Sequence, residues 1–270
     1  VVSISSAPAT AGAGQTIAVS EPTRNQGAGA AGPSLTRFFL SLNSSLDAGD
    51  TLLGSRDIPA LAPGASSSAS TSLTVPEGTA TGNWYLIAKA DGENVVTETS
   101  ETNNTYVAAV KIGPDLDITA FAVPATSGAG EAITVTDTTT NAGGSAAGPT
   151  RTQFYLSLNS GLDASDILLG GRDIPALAAG AASSGSTTVT IPEGTATGTW
   201  NIIAKADGQE VLTETSETNN TYSRTIKIGP DLDLTAFSAP TTAGAGQSIS
   251  VTDTTKNQGG GVAGPTQTRF

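Results

Sequence analysis

A unit of 116 residues repeats along this chain without insertion or deletion, and nothing else in the sequence constrains the fold as strongly. Asn25, Asn141 and Asn257 stand 116 positions apart, as do Phe38, Phe154 and Phe270. Of the 82 positions in 33–114, 58 are identical in 149–230. A fixed period of this length means that one folding unit recurs in tandem, so each unit must bury its own apolar residues. Each period closes on the same seam, Lys111-Ile112-Gly113-Pro114 and Lys227-Ile228-Gly229-Pro230. The chain therefore divides into 1–113, which lacks the opening Pro-Asp-Leu, 114–229, and 230–270, an incomplete copy with only the first strands. A stretch of this kind, beginning at Val1 with no Met anywhere, reads as a window on a longer tandem array.

Within a period the apolar residues alternate every second position, and the segments are too short for helices. Ile17 and Val19, Ile133 and Val135, and Ile249 and Val251 each define one inward face with Ser or Thr between. Phe38, Leu40 and Leu42 alternate in the same way, as do Phe154, Leu156 and Leu158. Leu73 and Val75 lead into Pro76, and Val189 and Ile191 into Pro192. Trp84, Leu86, Ala88 and Ala90 match Trp200, Ile202, Ala204 and Ala206, while Tyr106, Val110 and Ile112 match Tyr222, Ile226 and Ile228. With an opening strand through Leu116, Ile118 and Phe121, and a short one near Leu52–Ile58, each unit has about seven strands. That count in little more than 100 residues predicts an all-β chain of tandem immunoglobulin-like antiparallel β-sandwiches, stacked in a rod or filament. Trp84 and Trp200 read as core anchors, so Trp84→Ala is expected to unfold its domain.

Composition removes several classes of function. The chain contains no His and no Cys, which excludes a Ser-His-Asp triad, a Cys nucleophile, a structural zinc site and a disulfide framework. With 24 acidic against 12 basic side chains the net charge is −12, which opposes nucleic acid and anionic membrane surfaces. No apolar run is long enough to cross a bilayer as a helix, so no membrane insertion is expected.

Several stretches in fixed order then point to a family. They are Pro114-Asp115-Leu116-Asp117, Asn141-Ala142-Gly143, Phe154–Asn159, Leu169–Leu177, Ala204–Asp207 and Glu214–Thr221, each with a counterpart in the first or third copy. In this order the chain resembles the CARDB domain, the cell adhesion related domain found in bacteria, over nearly its whole length. The resemblance implies a β-sandwich like fibronectin type III and immunoglobulin domains, in an extracellular, cell-surface repeat protein implicated in adhesion. The sequence departs from the family in one loop, which is often Asp-rich there and here opens on Asn43 or Asn159.

Two acidic clusters recur and are candidate Ca²⁺ ligands, because a hard cation takes six to eight oxygens. One comprises Asn43, Asp47 and Asp50, repeated as Asn159, Asp163 and Asp166; the other Asp91, Glu98 and Glu101, with Asn103 and Asn104, repeated as Asp207, Glu214 and Glu217, with Asn219 and Asn220. The first set is spaced i, i+4, i+7, which is not the EF-hand pattern. Against metal binding stands a simpler reading, in which Asp and Asn cap turns through local backbone and keep the array soluble. Asp115, Asp117, Asp231 and Asp233 lie at the seams, where an ion could stiffen the junction. Lys89 and Lys205 lie near these acids; an isopeptide bond to Asn is one reading, a solvent-facing ion pair the other. Gly143–Gly148 opens no helix and carries no Lys, so it is a turn rather than a phosphate cradle.

Three functional classes follow. A structural array predicts near-identical loops; an adhesin for another cell or a polysaccharide predicts loops that diverge on one face; an enzyme needs a unique cleft. Differences between the copies scatter, as at Tyr85/Asn201 and Ala108/Arg224, and the same acids stand in both. The expectation is a non-enzymatic structural repeat of an extracellular bacterial surface fibre, whose partners are other copies of the same repeat. Ile249 and Val251 are expected to be buried against such a copy or against further chain.

Overall fold

The computed structural model describes all residues 1–270 and is built of strands alone. Domain 1 contains β1 (Thr10–Ala11), β2 (Thr16–Arg24), β3 (Ser34–Ser41), β4 (Thr51–Ile58), β5 (Ser66–Thr74), β6 (Gly82–Lys89) and β7 (Thr105–Ile112). Domain 2 contains β8 (Leu116–Ala122), β9 (Thr126–Ser127), β10 (Ala132–Asn141), β11 (Thr150–Ser157), β12 (Ile167–Ile174), β13 (Ala182–Thr190), β14 (Gly198–Lys205) and β15 (Thr221–Ile228). The third copy has only β16 (Leu232–Ser238) and β17 (Thr252–Asn257). Alternation, Gly/Pro punctuation and absence of helical periodicity thus translate directly into strands.

In domain 2 a three-stranded sheet, β13-β10-β8, faces a five-stranded sheet, β12-β11-β14-β15-β9. All pairings are antiparallel except β9 with β15, where the chain crosses from one sheet to the other and runs parallel. Pro124 sits at that crossing, as Pro8 does in domain 1; lacking an N–H, proline ends the first ladder and frees the chain to change sheets. The core lies between the sheets. Phe154, Leu156, Ile202, Ala204 and Ile226 from one side meet Ile118, Phe121, Val135 and Val189 from the other, all buried. Phe121 stacks on Phe154 with ring centroids 5.9 Å apart. Domain 1 repeats this core around Phe38.

A bulge refines the strand near Leu52. The pairing of β11 with β12 skips one residue, Phe154 facing Gly170 and Tyr155 facing Leu168, and β3 with β4 does the same. The bulged residues, Leu169 and Leu53, pack against the core, whereas Leu52 and Leu168 stay exposed. An extra residue in one strand shifts the alternation by one and so redirects a leucine inward.

Trp84 departs from the expected core anchor. It is half-buried at the rim of the domain 1 core, and its indole N–H donates to the Ala80 carbonyl at 2.9 Å. Trp200 repeats the arrangement with Ala196. Trp84→Ala should therefore lower stability by ~1–3 kcal/mol rather than abolish folding. Urea denaturation of the full chain checks this, and complete unfolding of domain 1 in buffer would contradict it.

Within residues 1–270 the third copy forms only two strands. Ile249 and Val251 precede β17 and belong to no strand, and Ile249 is 52% exposed. In domain 2 the corresponding half of β10, Ala132 to Val135, pairs only with β13, whereas Thr136 to Asn141 also pair with β8. The β13 counterpart lies outside residues 1–270. Only the half that pairs with β16 forms, Thr252–Asn257. Leu232, Leu234, Phe237 and Phe270 are exposed. A strand is defined by its partners, and the residues that would pair with Ile249 and Val251 lie outside 1–270.

Candidate functional site

The first acidic cluster closes a turn on itself. Asn43 Oδ1 accepts from the Ser45 amide at 2.7 Å, Asp47 Oδ1 from the Gly49 amide at 2.7 Å, and Asp50 Oδ2 from the Asp47 amide at 2.8 Å. Asn159, Asp163 and Asp166 repeat this in domain 2, capping Gly161, Ser165 and Asp163. Backbone donation from Gly49, helped by Asn43, holds the Asp47 carboxyl below its ordinary range; the Ser165 hydroxyl and amide do so for Asp163. These are Asx turns in water, with their best oxygens already committed to N–H donors.

The second cluster is built differently in the two domains. It lies on the segment joining β6 to β7, or β14 to β15, which opens on a tight turn with Asp91 and Asp207 at positive φ, 45° and 40°. In domain 1 both Asp91 oxygens are used, by the amides of Val95 (3.0 Å) and Val96 (2.8 Å). In domain 2 only Asp207 Oδ2 is used, by Leu212 at 2.8 Å; Oδ1 is buried with no partner. Asn220 donates to Glu214 Oε1 (3.1 Å) and Glu217 Oε2 (3.2 Å), as Asn104 does to Glu98 and Glu101.

The chain entering domain 2 packs on this segment as well. Gly113, Pro114, Asp115 and Leu116 are buried against this segment. The Thr215 amide donates to the Pro114 carbonyl (2.9 Å), Asn219 Nδ2 to Asp115 Oδ1 (3.0 Å), and the Leu116 amide to Glu214 Oε2. In domain 1 the corresponding segments, Asn25–Ala31 and Val96–Ser100, border an open groove of about 370 Å³. Covering the loop buries Glu214 and raises its carboxyl to about 7; burial is the main cause, the Leu116 amide opposes it, and the charges of Glu217, Asp207 and Asp115 add to it. No three acidic side chains stand together as a carboxylate cage, so a cation here would depend on amide oxygens as well.

The same segment forms the junction. The Gly113 amide donates to the Ala11 carbonyl of β1 at 3.2 Å, and the Gly113 carbonyl accepts from Gly144 (2.9 Å) and Ser145 (3.2 Å). Asn141 organises this turn, accepting from Asp115 and Gly143 and donating to the carbonyls of Ser145 and Leu177. A Cβ on Gly144 would fall inside the Ala11 backbone, so this close approach requires glycine. Several of these contacts recur 116 residues on: Gly229 donates to Ser127 at 2.9 Å, Gly261 donates to Gly229 at 3.1 Å, Asn257 accepts from Asp231 and Gly259, and Gly260 abuts Ser127. Domain 1 carries Ala28 where the others have Gly144 and Gly260.

Lys89 donates to Asn94 (3.0 Å) and Lys205 pairs with Glu210 (2.6 Å), both contacts lying at exposed turns. The sequence reading missed a buried ion pair between the sheets. Arg172 on β12 donates from Nε to Asp137 Oδ1 (3.0 Å) and from Nη2 to Oδ2 (2.6 Å), and Arg56 pairs with Glu21 in domain 1. The signal was present, since Asp137 follows Ile133 and Val135 on the inward register, where an acid demands a partner.

A family model described as CARDB matches residues 1–108 and 113–224. No curated protein matches the chain. Among solved structures, the CARDB domain of a Pyrococcus furiosus protein in complex with di-metal ions is 18% identical, with a TM-score of 0.34, covering 43% of this chain and 88% of that one. Red sea bream transglutaminase is 14% identical, with a TM-score of 0.44, covering 84% of this chain and 31% of that one. A β-glucosidase from Listeria innocua is 17% identical, with a TM-score of 0.31, covering 42% and 16%. These structural likenesses carry no statement about activity.

Proposed function

This chain belongs to the CARDB family, and from that premise we propose that it is a structural repeat of an extracellular fibre on a bacterial surface, stacked head to tail with other copies of the same unit. One observation carries this reading: the junction after domain 1 and the junction after domain 2 share the Gly113/Gly229 bonds to both neighbours, the Asn141/Asn257 turn and the close glycine approach at Gly144/Gly260. A heterologous contact that recurs with one geometry extends without closing, which is the design of a solenoid or filament. The linker contributes directly, because Gly113 is hydrogen-bonded to both neighbours and has no free length in which to swivel. The acids common to both copies sit in turn-capping roles, which favours a non-catalytic module. The surface location rests on the family's association with adhesion.

Two experiments test the reading. Negative-stain microscopy of the native source should reveal regular fibres; isolated globular particles would favour an adhesin for a cell or polysaccharide instead. In the chain itself, Gly144→Val should wedge the junction open. Its X-ray scattering should then require a bent or mobile ensemble, while both domains keep their melting transitions, because the clash falls between the domains and outside either core cluster. Scattering identical to that of the parent chain would mean that the junction is not the rigid element.

A further inference from the structure

Beneath the first junction lies a group of buried oxygens with no proton donor. Asp207 Oδ1 and Asn220 Oδ1 belong to residues that are each 1% exposed, and neither has a partner; Asn219 Oδ1 and Thr215 Oγ1, close by in the same segment, are also unpartnered. Turning the amides over does not help. Asn220 Nδ2 is held by Glu214 and Glu217, and Asn219 Nδ2 by Asp115, so a flip would set each amide oxygen against carboxylates. Nor does a basic side chain neutralise the corner, since Asp115, Asp207, Glu214 and Glu217 take part in none of the five ion pairs. Acceptor oxygens buried without donors, among acids without a counter-charge, are in the condition that a hard cation relieves.

We propose that this corner binds one divalent hard cation, with Ca²⁺ the best match, through the unpartnered oxygens of Asp207, Asn219 and Asn220 together with the Asp115 carboxylate, and that the ion ties the incoming segment Pro114–Leu116 to the body of domain 2. Calcium is favoured over magnesium because an irregular set of amide and carboxylate oxygens suits a flexible six-to-eight-fold shell better than a strict octahedron. The segment in domain 1 is not an equivalent site. Both Asp91 oxygens are committed to backbone amides, and of its two asparagines only Asn104 leaves an oxygen unpartnered. The turn clusters at Asp47 and Asp163 have no unpartnered buried oxygen. The site therefore rests on the uncommitted Asp207 oxygen, and it does not depend on the chain being part of a fibre.

The test is calorimetric titration of the full chain with Ca²⁺ after EDTA treatment, with melting curves taken in parallel. The expected result is one Ca²⁺ per chain, with a dissociation constant on the order of 10⁻⁴–10⁻³ M as in extracellular modules, and a domain 2 transition that rises with calcium. Asp115→Asn combined with Asp207→Asn should weaken binding at least tenfold. Asn keeps the oxygen that caps Leu212, so this variant should melt in EDTA at or above the parent temperature. Asp91→Asn and the pair Asp47→Asn with Asp163→Asn should bind as the parent does. No saturable heat with either Ca²⁺ or Mg²⁺, unchanged affinity in the Asp115/Asp207 variant, or loss of binding in the Asp47/Asp163 pair would each overturn the proposal.

Discussion

Replacing Phe154 with alanine is expected to destabilise domain 2 by ~3–5 kcal/mol, the range for truncating a fully buried aromatic. Phe154 has no exposed surface, stacks on Phe121, and lies where both sheets contribute core residues. Its removal leaves a void lined by branched aliphatic side chains anchored in ladders on both sides, which cannot collapse into it. A domain of this size has roughly 5–15 kcal/mol in total, so the loss is a large fraction. Because the chain has two Trp, one in each complete domain, Trp84→Phe leaves Trp200 as a fluorescence reporter of domain 2 alone. In that background urea unfolding should shift strongly for Phe154→Ala. A change below about 1 kcal/mol, the surface range, would place Phe154 outside the core.

A loss of similar size is expected from Arg172→Ala, for a different reason. The Asp137 side chain has no exposed surface and receives two hydrogen bonds from the guanidinium, which also holds Ser183 through its hydroxyl (2.9 Å) and carbonyl (3.0 Å). Thr139 donates to Asp137 and bonds Thr152 across the sandwich at 2.7 Å. Removing the arginine strands a buried carboxylate, which typically costs ~3–5 kcal/mol; removing both charges in favour of apolar residues of like volume is often neutral. Asp137→Val with Arg172→Met should therefore recover most of what Arg172→Ala loses. If Arg172→Ala is mild, or the double variant is the worse of the two, the pair contributes more to fold than to charge compensation.

The network spans both sheets at one depth in each domain, pairing Glu21 with Arg56 and Asp137 with Arg172. The acid differs between copies, Glu21 on β2 and Asp137 on β10, while an arginine faces it in both, Arg56 on β4 and Arg172 on β12. The sequence contains each residue, but strands β2 and β4, or β10 and β12, are neighbours in no ladder. Only the face-to-face stacking of the sheets brings them together, so spacing along the chain gave no reason to pair them.

Local alternation and repetition at a fixed offset were enough to establish strands, sandwich class and family, because those depend on side-chain periodicity within a few residues and on identity at that offset. Tertiary structure decided what depends on distant segments meeting. Leu169 turns inward only because of a bulge against β11, Trp84 reaches only the rim of its core, and Ile249 loses its strand for want of a partner. The two acidic clusters look alike in sequence. They separate in space because exposed Asp47 can reach its own backbone amides, whereas Asp207 is buried in the turn after β14 with one carboxylate oxygen unpartnered. Burial distinguishes a solvated turn from a pocket of unsatisfied oxygens.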